Sequence, residues 1–295
     1  MPEKRYILTA TDMSAWAKHA ENKGAALTKL VGNAEMLLVN VQEQVEGLFM
    51  MASADEFLAQ QSYRREAEKI LQETANRLSE KEGITVTPIV CTGSVSEEIK
   101  ALVKEKNASL LVIGAHGQGY HFMPIIGNIP AKLIQGGQCP TLIIRQEEMR
   151  PYKKVLIPVD FSEVSLNQVK QSLPFIPEDA EIILMSVCGS SGSDSKFYAS
   201  VKPEILEEYR NKVKGEANEK INALIQRIDS QRKFQTHVAL GIPHKLILDY
   251  VKNNGIDLLV LGKHPRIRLE DYLVGSTVHY AINSAECDVM ITTPA

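Results

Sequence analysis

Short runs rich in Val, Ile and Leu recur along the chain without the polar alternation of a half-exposed strand. Such continuous apolar runs predict strands covered on both faces. In the first half they fall at Tyr6–Thr11, Met36–Val41, Thr85–Cys91, Ser109–Ile113 and Thr141–Arg145. In the second half they fall at Lys154–Val159, Glu181–Val187, Phe234–Leu240, Leu258–Leu261 and Val289–Thr292. Between them lie amphipathic stretches that predict helices, among them Ser62–Lys81, Glu97–Lys106, Glu204–Arg227 and Lys245–Lys252. Ser94-Val95-Ser96-Glu97 reads as a capping box opening one of these. Strands alternating with helices imply right-handed crossovers and a parallel, doubly wound α/β sheet in each half.

The two halves repeat one another. The segment from Tyr6 to Ser14 resembles Val155 to Ser162, and Ser109 to Gly117 resembles Asp257 to Pro265. Asp12 pairs with Asp160, Gly93 with Gly241, Gly114 with Gly262, Gly127 with Gly275 and Cys139 with Cys287, every pair 148 residues apart. One offset shared by five anchors marks a tandem duplication. The expected domains are residues 1–147 and 152–295, joined through a charged linker at Gln146–Pro151. Composition reads the stretch from Cys188 to Ser195 as a loop, and the region from Glu43 to Ala54 likewise.

Composition narrows the function classes. The 295 residues are 44% hydrophobic and 23% charged, with a net charge of −3. Divided after Arg150, the first part carries 16 basic and 18 acidic residues, the second 17 and 18. Neither half has the basic excess of a nucleic-acid or anionic-membrane binder. No apolar run reaches a membrane span and the N-terminal segment lacks signal-peptide character, so a cytoplasmic protein is expected. Cys91, Cys139, Cys188 and Cys287 include no C-x-x-C pair; Cys91, Cys139 and Cys287 are expected as buried thiols in or beside strands.

Ligands of open parallel sheets sit beyond the carboxyl ends of the strands, and the least ordinary residues of this chain fall there. Asp12 or Asp160 follows the first strand of each half. Gly114-Ala115-His116-Gly117 or Gly262-Lys263-His264-Pro265 follows the fourth. Nine further residues after Gly117 or Pro265 lead to Gly127-Asn128 or Gly275-Ser276 at a helix start. Glycines let main-chain N–H groups approach a phosphate, and a helix N-terminus adds partial positive charge. An Asp at a strand tip can accept hydrogen bonds from a sugar or a base. Turn geometry alone also accounts for glycines after a strand.

At these residues the chain resembles the universal stress protein family in its tandem form, over nearly its whole length. The resemblance implies a five-stranded order 3-2-1-4-5 in each half. It implies ATP, with or without Mg²⁺, held by the glycine pattern G-x2-G-x9-G-[S/T], a Pro-x-Asp and a Val after the second strand. In the first half Asp12, Val41, Gly114, Gly117 and Gly127 match, while Asn128 replaces the hydroxyl residue and Ala10 the proline. In the second half Pro158, Asp160, Val187, Gly262, Gly275 and Ser276 match, but Pro265 replaces the middle glycine and removes a backbone donor. Lys263, Arg266 and Arg268 add positive charge to that second loop. Family members pair through their last strand. The resemblance therefore implies an internal pseudo-dimer bringing Cys139–Arg145 beside Cys287–Thr293, with a further homodimer left open. The implied function is a cytoplasmic stress-response module that binds an adenine nucleotide in one or both domains and acts through protein partners. The alternative is an interaction module that has lost nucleotide binding or binds another small molecule.

Other chemistry finds little support. His116 and His264 stand alone in their loops, without a second ligand at metal spacing. No G-x-S-x-G nucleophile elbow and no G-x4-G-K-[ST] phosphate loop occurs. No general base is evident for attack on a γ-phosphate, so any turnover of ATP is expected to be slow.

Overall fold

The computed structural model describes residues 4–43, 54–115, 127–135, 137–147, 150–188, 202–263 and 277–294, with backbone alone for 54–60. The chain divides into two compact units, Met1–Arg150 and Pro151–Ala295.

The first unit runs β1 (Arg5–Ala10), α1 (Ala17–Val31), β2 (Ala34–Gln42), α2 (Ala54–Glu82), β3 (Val86–Thr92), α3 (Val95–Glu105), β4 (Leu110–Gly114), α4 (Asn128–Gln135) and β5 (Thr141–Ile144). Its strands order β3-β2-β1-β4-β5, all parallel. The second unit repeats this as β6 (Lys154–Pro158), α5 (Glu163–Ser172), a short 3-10 turn, β7 (Glu181–Cys188), α6 (Pro203–Gln226), β8 (Phe234–Leu240), α7 (Pro243–Asn254), β9 (Leu258–Gly262), α8 (Thr277–Ser284) and β10 (Asp288–Thr292). Its strands order β8-β7-β6-β9-β10, the same 3-2-1-4-5 succession.

The apolar runs form the central strands, as sheets covered on both faces require: Ile7, Leu8, Leu110, Val112, Val155, Leu156, Leu258 and Leu259 are fully buried. The helices contribute apolar residues at helical spacing. In α2 these are Ala67, Leu71, Ala75 and Leu78, of which the last three pack with Met36 and Leu38 of β2; in α6 they are Ala217, Ile221 and Leu224.

The 148-residue offset extends to backbone conformation. Gly93 and Gly241 open the turns into α3 and α7 at φ 150° and 148°. A side chain there is strained, and a Cβ would also lie 2.8 Å from Glu98 Oε1 or 3.0 Å from Leu246 Cδ1. The capping box is corrected in part. Ser94 is the N-cap of α3, but its side chain makes no capping bond; its carbonyl accepts from the N–H groups of Glu97 and Glu98 at 3.1 and 3.0 Å. Glu98, not Glu97, folds back over the turn, against Gly93. Cys139 and Cys287 are buried as expected, whereas Cys91 is only half-buried. Burial pushes the Cys139 thiol up to about 12.

Candidate functional site

Each unit has a cleft at the carboxyl ends of its strands, created because the first strand stops before the second. In the first unit β1 ends at Ala10, opposite Val39, and the Thr11 N–H makes a last bond to the Val39 carbonyl at 2.9 Å. β2 continues along β3 to Gln42. In a parallel ladder residues two apart direct their main-chain groups to the same neighbour. The N–H and C=O of Val41 therefore face the space beyond the end of β1, as a donor and acceptor side by side. β6 and β7 repeat this: Val159 N–H bonds the Met185 carbonyl at 2.8 Å, which turns the main chain of Val187 into the second cleft.

The first cleft encloses about 400 Å³, the second about 250 Å³. The first brings together Asp12, Val41 and Gly114, with Ile129 and Pro130 of α4 closing one side. Gly127 lies beside it, its N–H bonding the Ala115 carbonyl at 3.4 Å, and Asn128 is the first residue of α4. The second brings together Pro158, Asp160, Val187 and Gly262, with Thr277 and Val278 of α8. Gly117, Gly275, Ser276, His116, His264, Pro265, Arg266 and Arg268 lie outside the described residues. Among the described residues no group of three or more His, Cys, Asp or Glu is placed to hold a metal ion.

After each Asp the chain takes a left-handed residue that is not glycine, Met13 at φ 62° and Phe161 at φ 67°. Bulky residues rarely adopt this conformation, and a strained turn recurring at equivalent positions points to a site being shaped. The side chains holding the two turns differ. In the first unit Thr11 Oγ1 donates to Glu21 Oε1 at 2.7 Å and accepts from the Met13 N–H at 2.9 Å. Asn40 Nδ2 donates to the Thr11 carbonyl at 2.9 Å, and Arg77 of α2 reaches Glu21 Oε2 at 3.4 Å. Asp12 Oδ1 accepts from the Ser14 N–H at 3.0 Å. In the second unit Asp160 Oδ1 accepts from the Ser162 N–H, Ser162 Oγ and Ser165 Oγ at 3.1, 2.6 and 2.5 Å. Ser165 Oγ in turn accepts from the Asp160 N–H at 2.9 Å.

Gly262 has a reason within the chain to lack a side chain. A Cβ there would lie 2.8 Å from Gln168 Oε1 and 3.1 Å from Val164 Cγ1. Gln168, on α5 and 3% exposed, donates from Nε2 to the carbonyls of Val260 at 2.8 Å and Pro158 at 3.1 Å. It bridges β6 and β9 where their pairing has ended and forms part of the cleft wall.

Glu21, Thr11, Asn40, Ser165 and Gln168 were not singled out by the sequence. The available signal was a charged or amide residue on the apolar face of a helix: Glu21 stands between Ala20 and the buried Gly24–Ala25 pair, and Gln168 between Leu166 and Val169.

The universal stress protein family model matches the chain twice, over residues 4–145 and 151–293. Universal stress protein MJ0577 of Methanocaldococcus jannaschii is 28% identical over 159 residues, covering 48% of this chain and 94% of the relative. Universal stress protein MJ0531 of the same organism is 30% identical over 150 residues, covering 50% and 86%. A solved universal stress protein from Archaeoglobus fulgidus superposes on 98% of this chain and 98% of its own, with a TM-score of 0.66 at 18% identity. A structure from Pseudomonas aeruginosa, a putative universal stress protein, covers 99% of this chain with a TM-score of 0.65 at 15% identity. These two likenesses show a shared fold over both units. With one family domain in each half, the chain belongs to the universal stress protein family as a tandem two-domain member.

Proposed function

We propose that the protein is a cytoplasmic stress-response module that binds ATP in its first cleft and transmits the bound state to protein partners. The observation that carries this reading is the main-chain donor and acceptor of Val41, facing a 400 Å³ cleft between Asp12 and Gly114. A volume of this size suits a small-molecule ligand. Val41 would read the adenine edge, and the Asp12 carboxylate would accept from a ribose hydroxyl. Gly114, Gly117 and Gly127 would offer main-chain N–H groups to the phosphates, with the Asn128 amide and the N-terminus of α4 adding donors and partial positive charge. Mg²⁺ is expected as the counter-ion of the phosphates.

For the second cleft the observations favour altered or lost nucleotide binding. Its volume is about 250 Å³, its wall holds Gln168, and the Asp160 carboxylate accepts three hydrogen bonds from its own turn. The test is native mass spectrometry of the purified protein, followed by titration with ATP and Mg²⁺ read by melting temperature. One equivalent of nucleotide and a saturable rise in melting temperature are expected; ligand at 100 times Kd stabilises by about 2.7 kcal/mol. Absence of co-purified nucleotide, together with no shift at millimolar ATP, would leave the interaction module without nucleotide as the function.

A further inference from the structure

The carboxylate of Glu21 makes none of the ligand contacts proposed above, yet it is 3% exposed on α1, where an ionisable group is costly to keep. What it touches is the turn that carries Asp12. Thr11 is the junction: its hydroxyl gives its hydrogen to Glu21 at 2.7 Å and its lone pair to the Met13 N–H at 2.9 Å. Its carbonyl takes the Asn40 amide at 2.9 Å. An acceptor beneath Thr11 fixes the direction of its hydroxyl hydrogen, and this leaves the lone pair aimed at Met13, the residue at φ 62°.

The second unit serves as an internal control. Val159 stands in place of Thr11 and Val169 in place of Glu21, both buried. Strand, helix and left-handed turn are all preserved there, with Phe161 at φ 67°. The fold therefore needs no buried carboxylate at this position, and neither does the turn. What changes is the means of holding it: the second unit draws Asp160 itself into hydrogen bonds with Ser162 and Ser165, whereas the first adds a hold from beneath.

We propose that Glu21 is a positioning residue of the first cleft, which through the Thr11 hydroxyl fixes the Asp12 turn in the geometry that meets the ligand. This rests on the reading of that cleft as a nucleotide site.

The test rebuilds the second unit's pair in the first, as the double variant Thr11→Val with Glu21→Val, alongside Glu21→Gln, which keeps an acceptor for Thr11. ATP affinity, melting temperature and hydrogen exchange of the Met13 amide are measured on the full chain. The double variant should melt no lower than wild type, bind ATP at least tenfold more weakly and exchange the Met13 amide at least tenfold faster. Glu21→Gln should stay within threefold of wild type in affinity and exchange. Unchanged affinity and exchange in the double variant would overturn the proposal, and so would parallel losses of stability and affinity in Glu21→Gln. If the double variant does not fold, Thr11→Ser against Thr11→Ala decides: only the serine, which keeps the hydroxyl, should retain binding. If wild type binds no ATP, the nucleotide reading fails by itself, and Met13 exchange alone judges Glu21.

Discussion

The two clefts are built on equivalent backbone and finished with different side chains. In both units the second strand outruns the first, an Asp follows the first strand, and a left-handed non-glycine residue follows the Asp. In the first unit the turn is secured from below, by Glu21, Thr11 and Asn40. In the second, Val159 and Val169 occupy the matching positions and the hold comes from Ser162 and Ser165 on the carboxylate itself. The place of a site is thus set by strand lengths, which duplication copies. What differs between the copies is a handful of polar positions around that place, which the two units fill with different residues.

The largest expected effect tests whether the copies also differ in how closely helix and sheet approach. A Cβ on Gly24 of α1 would lie 2.2 Å from Thr9 Oγ1, 3.2 Å from its Cβ and 3.3 Å from its Cγ2. Rotating Thr9 can turn its Hβ toward the new methyl group, but the Thr9 Cβ stays 3.2 Å away, so strand and helix must still move apart. The matching pair in the second unit is Ser172 and Ile157, with Ser172 Oγ donating to the Val169 carbonyl at 2.9 Å. Gly24→Ala should therefore cost about 2–3 kcal/mol through overpacking. Ser172→Ala, which only removes atoms, should cost about 1 kcal/mol or less. Urea unfolding of both variants measures this. A stabilised Gly24→Ala, gaining the helix preference of alanine of about 1 kcal/mol, would show the close approach to be absent.

Gly24 also illustrates what was legible in advance. The strands and the duplication were readable because each depends on local pattern or on a repeated spacing, while the strand order followed from the family resemblance. Asp12 and Gly114 could be placed near one another because a parallel sheet collects its strand ends, and Val41 joined them through the family resemblance. The devices that distinguish the clefts were not readable, since Thr11 meets Glu21 and Gly262 meets Gln168 only when a helix lies across the sheet. The same limit left Gly262 read as a turn or phosphate-binding glycine, when the side chains of α5 also crowd the place a Cβ would take. In α3, Glu97 and Glu98 are adjacent candidates for one turn, and sequence spacing selected the wrong one.

The next test concerns capacity. Gln168→Ala removes a side chain whose counterpart in the first unit is Ala20, and leaves the carbonyls of Pro158 and Val260 without its amide. A loss of about 1–2 kcal/mol is expected, together with a wider second cleft. In calorimetric titration wild type should take up one equivalent of ATP, and the variant a second, weaker one. Two equivalents in wild type would mean that the smaller volume of the second cleft does not limit binding.

The smallest effect is a pH dependence at Glu21, a position the second unit fills with the non-titrating Val169. Burial raises the pKa of Glu21 above the usual carboxylate value, with the Asp12 charge acting in the same direction. The Thr11 hydrogen bond, Arg77 from α2 and Lys18 from its own helix act against it. A carboxyl whose pKa is raised on folding holds its proton more tightly in the native state. Its contribution to stability is complete below the unfolded pKa and disappears as pH rises through the folded one. Glu21→Gln removes this dependence, and Val169 has none to remove. The melting temperature of Glu21→Gln relative to wild type should therefore rise between pH 4.5 and pH 7. Val169→Thr, which adds no titratable group, should show a difference from wild type that does not change with pH. A flat difference for Glu21→Gln as well would mean that Glu21 ionises as it does in the unfolded chain, and these two matching positions would then be alike in their response to protons.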